Sequence, residues 1–92
     1  MIEFHFTNKA KKEFEKLDYG SRDRVIRKLT ELKGHPNIQG ILRSVYGIKN
    51  ASYRMRIGSL QLLLLQRDSN KFIVNKIGHR QNFYNFNNNS FY

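Results

Sequence analysis

A chain of 92 residues without cysteine makes one domain, and it excludes both a disulfide framework and cysteine-held metal sites. At 39% hydrophobic and 26% charged residues it has the composition of a globular domain, not of a disordered segment. Seventeen Lys and Arg against seven acids give a net charge of +10 and a pI of about 10.2, more than solubility alone requires and suited to nucleic acid or an acidic protein partner.

The first residues, IEFHF, alternate: Ile2, Phe4 and Phe6 fall on one side and Glu3 and His5 on the other, the period of a strand with one buried face. Thr7 is placed to cap a helix over 8–17 whose Ala10, Phe14 and Leu17 form an apolar stripe, and Asp18-Tyr19-Gly20 closes it. Ser21 opens a second helix over 21–33, with Val25, Ile26, Leu29 and Leu32 inward and Gly34 as the stop. The outer surface of this hairpin carries Lys9, Lys11, Lys12, Arg22, Arg27 and Lys28. His35-Pro36-Asn37 and Gly40 mark a loop, and Ile41-Leu42 and Val45-Tyr46 lead to Gly47.

Three strands follow, over 52–57, 60–66 and 72–77. Gly58-Ser59 fits a two-residue hairpin connection and Asp68-Ser69-Asn70 a slightly longer one. The expected class is α+β, an N-terminal strand and helical hairpin packed on a small antiparallel sheet in the order β-α-α-β-β-β. The domain covers residues 1–84, and an Asn-rich tail covers 85–92. The N-terminus lacks the charged start and long apolar run of a signal peptide, and the apolar run at 62–65 is too short for a bilayer. A cytoplasmic protein without a membrane partner is expected.

In YRMRI, residues 53–57, the period of two sends Tyr53, Met55 and Ile57 toward the helices and Arg54 and Arg56 the other way. The two arginines then stand about 7 Å apart along the strand, a spacing that lets two guanidinium groups reach one phosphodiester or neighbouring ones. A polar face turned to water explains the same alternation. Leu60, Leu62 and Leu64 join the core side, leaving Leu63 and Leu65 beside Gln61. With Phe83, Phe86, Phe91 and Tyr92 these leucines suggest a groove, filled by the chain's own tail or by an amphipathic partner segment.

His79 and Arg80 follow Gly78 at the end of the last strand, with Tyr84 soon after, and a meander brings them toward the arginine strand. Metal-free RNA cleavage needs a base for the 2′-hydroxyl, an acid for the leaving 5′-oxygen and positive charge for the phosphorane. Arg54, Arg56, His79, Arg80 and Tyr84 supply those chemistries. Asp68 and Glu31 are isolated, so no metal and no cofactor are expected. His5 and His35 read as structural or solvated.

Over residues 1–84 the chain resembles the RelE/ParE superfamily of toxin–antitoxin toxins, through KAKKEFEKL, RDRVIRKLTEL, YRMRIGSLQLLLL and above all IGHRQNFY. The resemblance implies neutralisation by a small acidic antitoxin. In the RelE branch it implies a metal-independent endoribonuclease acting on mRNA in the ribosomal A site; in the ParE branch, a protein that inhibits DNA gyrase without nuclease chemistry. A basic RNA- or ribosome-binding module without activity is a third reading.

Matched position by position, Arg54 and Arg56 bind and orient the RNA backbone, and one of them acts in proton transfer. Arg80 stabilises charge at the scissile phosphate. Tyr84 orients a base or takes part in proton transfer, and His79 stands where a basic or imidazole side chain is frequent. One position departs: where the family supplies a further arginine, this chain has Gln61. Gln hydrogen-bonds a phosphate but does not offset developing negative charge, and losing such a contact typically costs ~2.7–4 kcal/mol of transition-state stabilisation. Gln61 favours the gyrase branch somewhat, but with His79 placed to compensate, the ribosome-dependent endoribonuclease is the leading reading.

Overall fold

The computed structural model describes residues 1–48 and 51–79. Strand β1 (Glu3–Phe6) leads through the cap of Thr7, whose Oγ1 accepts from Ala10 N–H at 3.1 Å, into helix α1 (Asn8–Glu15). Helix α2 (Tyr19–Lys33) follows, then a short 3-10 turn (Ile38–Gly40). Four strands complete the described chain: β2 (Arg43–Ser44), β3 (Tyr53–Ile57), β4 (Leu60–Asp68) and β5 (Lys71–His79).

The α+β class is as expected, but the sheet is larger and mixed. Its order is β1-β5-β4-β3-β2, with β1 running parallel to β5 and every other pairing antiparallel. The two-residue strand β2, which adds an edge beyond β3, has no alternating run to announce it. The helices differ in detail too. Asp18 caps α2 from before its first turn, so Tyr19 and Gly20 belong to the helix and not to a closing loop. Ile26 is half-exposed and does not join Val25, Leu29 and Leu32 in the core.

The core lies between the helices and one face of the sheet. Met55, Ile57, Leu60, Leu62, Leu64, Phe72, Val74 and Ile77 meet Ala10, Val25, Leu29 and Leu32 there. Each fully buried aliphatic side chain contributes about 1.5–3 kcal/mol relative to exposure. Tyr53 and Phe4 close on Phe72, with ring centroids 6.1 Å and 5.9 Å apart, tying β1 and β3 to the central strands. The β3–β4 turn is the expected two-residue one, with Gly58 at φ 60°, a left-handed value that other residues adopt at a cost.

β5 contains a bulge. Val74 pairs with Leu64 and Lys76 with Leu63, so Asn75 is the extra residue. Counted from Phe72 and Val74, strict alternation would turn Lys76 into the core and Ile77 out of it. The bulge reverses this, and Glu13 of α1 holds the result: its Oε1 accepts Ile77 N–H at 3.0 Å and its Oε2 lies 3.2 Å from Lys76 Nζ. The expected strand over 72–77 thus continues to His79 with its parity switched.

Ser21 donates to Asp18 through both its N–H (3.1 Å) and its Oγ (2.7 Å), and these bonds hold the Asp18 carboxyl below its ordinary value. A depressed carboxyl stabilises the fold above its unfolded-state pKa, and that stability is lost as pH falls through the lower, folded value. Asp18→Ala is therefore expected to lower Tm at neutral pH, with the gap to wild type closing below about pH 4, while Asp18→Asn keeps the cap across the range. Thermal melts over that range check this; a gap that stays constant contradicts it.

Candidate nucleic-acid interface

The face of the sheet turned away from the helices is built by β3, β4 and the start of β2. Arg54 and Arg56 alternate with the core residues Met55 and Ile57, so both point to this outer face. Register then assembles a patch. Arg54 stands directly opposite Arg43 on one side and Leu63 on the other, while Gln61 stands opposite Arg56. Arg43 did not emerge from the sequence, because nothing local marks it as belonging to a strand.

Among the described residues, ion pairs join His5 to Glu3, Arg27 to Asp23, Lys28 to Glu31 and Lys76 to Glu13. None of these involves Arg43, Arg54 or Arg56. Three guanidinium groups thus share one face without a carboxylate to neutralise them. Arg54 is partly buried, and its Nε is shielded from solvent with no hydrogen-bond partner among the described residues. A groove of about 230 Å³ runs beside them at the edge of β3, lined by Lys28, Ile41, Arg43, Arg54, Met55 and Arg56. A second cavity, of about 440 Å³, lies at the other end of the sheet beside the Ser69–Asn70 turn and Met1, away from this patch.

Gln61 is the second unusual group. It is 0% exposed, and both Nε2 and Oε1 are buried without a partner among the described residues. Leu63, expected on this outer side in a groove filled by the tail or a partner segment, is buried as well, at 3% exposure.

His79 does not join the arginines. It pairs with the core residue Leu60 and lies two positions beyond the core residue Ile77, so its side chain is on the helix side of the sheet. Its Nδ1 is 3.3 Å from Ser59 Oγ, and it adds a minor electrostatic contribution to Asp18, after the hydrogen bonds from Ser21. The cause is the bulge at Asn75: without it, parity would send His79 to the outer face. The sequence carries a sign of this, since the apolar positions 72 and 74 are followed by 77 and not 76. Arg80 and Tyr84, the other expected site residues, and the tail over 85–92 lie outside the described residues.

No family model and no curated protein matches the sequence. Solved structures do. The toxin in the Escherichia coli RelBE toxin–antitoxin complex is 23% identical, with TM-score 0.66 over 86% of this chain and 96% of that one. The RelB–RelE complex of Methanococcus jannaschii gives 20% identity and TM-score 0.68 over 90% and 98% of the two chains. The RelBE2 complex of Mycobacterium tuberculosis gives 18% and 0.71 over 86% and 91%. The fold is that of the RelE toxins. Within this RelE fold the helices cover one face of the sheet, and the unpaired arginines occupy the other.

A cationic face that contacts phosphates makes binding fall with salt, the slope of log K against log salt losing about 0.7 for each phosphate contact removed on a single strand. Arg54→Ala and Arg56→Ala are each expected to flatten the slope for single-stranded RNA by about that amount, and His79→Ala to leave it unchanged. Binding measured over a range of salt concentrations decides; equal slopes for all three variants contradict the two-sided arrangement.

Proposed function

We propose that this protein is the toxin of a toxin–antitoxin system, a metal-independent endoribonuclease that cuts mRNA on the ribosome and so blocks translation in the cytoplasm. The observation that carries the proposal is the set of guanidinium groups, Arg43, Arg54 and Arg56, unpaired among the described residues, on the face of a RelE fold turned away from the helices. A small acidic antitoxin is its partner, drawn by the same charge that draws RNA.

In the proposed reaction the 2′-oxygen attacks the adjacent phosphorus, its proton passing to a base, and the bond from phosphorus to the 5′-oxygen breaks as that oxygen takes up a proton. Arg54 and Arg56 hold the non-bridging oxygens and offset their growing charge. Arg80 assists at the scissile phosphate and Tyr84 orients a base or moves a proton. His79, on the helix side with Ser59, has no part at the reacting atoms.

A second reading, inhibition of DNA gyrase by binding alone, is favoured by Gln61 standing where the family supplies an arginine and by the separation of His79 from Arg54 and Arg56. Purified protein added to programmed ribosomes separates the two. Cleavage within the A-site codon, slowed about a hundredfold or more by Arg56→Ala, is the expected result. Intact message from folded protein that instead blocks gyrase supercoiling overturns the nuclease.

A further inference from the structure

The amide of Gln61 is anomalous for a strand residue in a small domain. Both its donor and its acceptor are fully buried and unpaired among the described residues, and burying a polar group without a partner is costly. An apolar residue of similar size would avoid that cost. Its surroundings point to a use. Directly opposite on β5 is Gly78, which has no side chain, and the bulge at Asn75 puts it there. Directly opposite on β3 is Arg56, whose side chain is exposed. Arg54, two residues along β3 on the same face, has a buried Nε likewise unpaired. Glycine inside a strand marks a bulge, a bend, or a place where a ligand or another backbone approaches closely.

We infer that Gln61 reads an adenine base, held flat against Gly78, while Arg54 and Arg56 hold its phosphates. The chemistry is selective. On its major-groove edge adenine alone sets a donor, N6–H, beside an acceptor, N7, the complement of a side-chain amide. Guanine shows two acceptors there, cytosine a donor only and uracil an acceptor only. Arginine at this position would contact a phosphate or guanine instead, so the glutamine changes what the site recognises. The inference rests on the outer face binding RNA, and it adds a base preference to that reading.

The test measures binding of the full chain to short labelled U-rich RNAs that differ only in one central base, A, G, C or U. The central-A strand is expected to bind about tenfold tighter than the others. Gln61→Met is expected to abolish that preference, leave the salt slope unchanged and raise Tm, because it removes the buried unpaired amide. Gln61→Glu, which only accepts, is expected to move the preference to cytosine. Binding that depends on Arg56 but is equal for all four bases, or a preference for A that survives in Gln61→Met, overturns the base-reading role alone. No RNA binding at all, or binding indifferent to Arg54→Ala and Arg56→Ala, overturns the RNA reading and this inference with it.

Discussion

The bulge at Asn75, clamped by Glu13, sets the two-sidedness of the whole sheet. The segment FIVNKIGH places Phe72 and Val74 in the core, and a regular strand would then drive the Lys76 ammonium inward. Burying a charge that way costs several kcal/mol unless it is paired. One extra residue resolves the conflict: Ile77 enters the core, and Lys76, still buried at 8% exposure, is paired with a carboxylate that also takes the N–H of Ile77. β1 pairs with β5 only through Val74, so the Glu13 contact also closes backbone that no strand covers. Everything beyond the bulge inherits its parity, including Gly78 beside Gln61 and His79 beside Ser59.

The other side of the sheet follows from β3. Tyr53, Met55 and Ile57 pack inward with the aliphatic side chains of β4, so Arg54 and Arg56 point outward, and short β2 adds Arg43 to the row. These cations repel one another, and no acidic residue of the described chain offsets them. Such a face is stable because most of its charge remains in water, and it gains most from a polyanion that releases its counterions on binding. Apart from Lys28 of α2, which lines the groove beside these arginines, the helices pack on the other face and serve as its scaffold.

Local pattern carried much of this. The cap at Thr7, the inward set Leu60, Leu62 and Leu64, the Gly58-Ser59 turn and the outward Arg54 and Arg56 all follow from spacing and turn chemistry within a few residues. What was not legible depends on distant partners. The parallel pairing of β1 with β5 joins segments separated by two helices, and nothing in IEFHF specifies direction. Ile26 sits next to Val25 on the helix, and only the tertiary packing decides which of the two is buried. His79 was misplaced by a single residue of register, since alternation counted from Phe72 predicts the face opposite to the one the bulge creates. The burial of Gln61 depends on cross-strand neighbours that its own segment does not reveal.

The central claim is that one face of the sheet, and not the helical face, grips RNA. Backbone amide shifts followed by NMR as single-stranded RNA is added test it most directly. The account predicts that the amides of Arg43, Arg54, Arg56, Gln61 and Gly78 move, while those of Asp18, Ser21 and the exposed side of α2 stay in place. Shifts concentrated on α1 and α2, with the arginine strand unmoved, would contradict it.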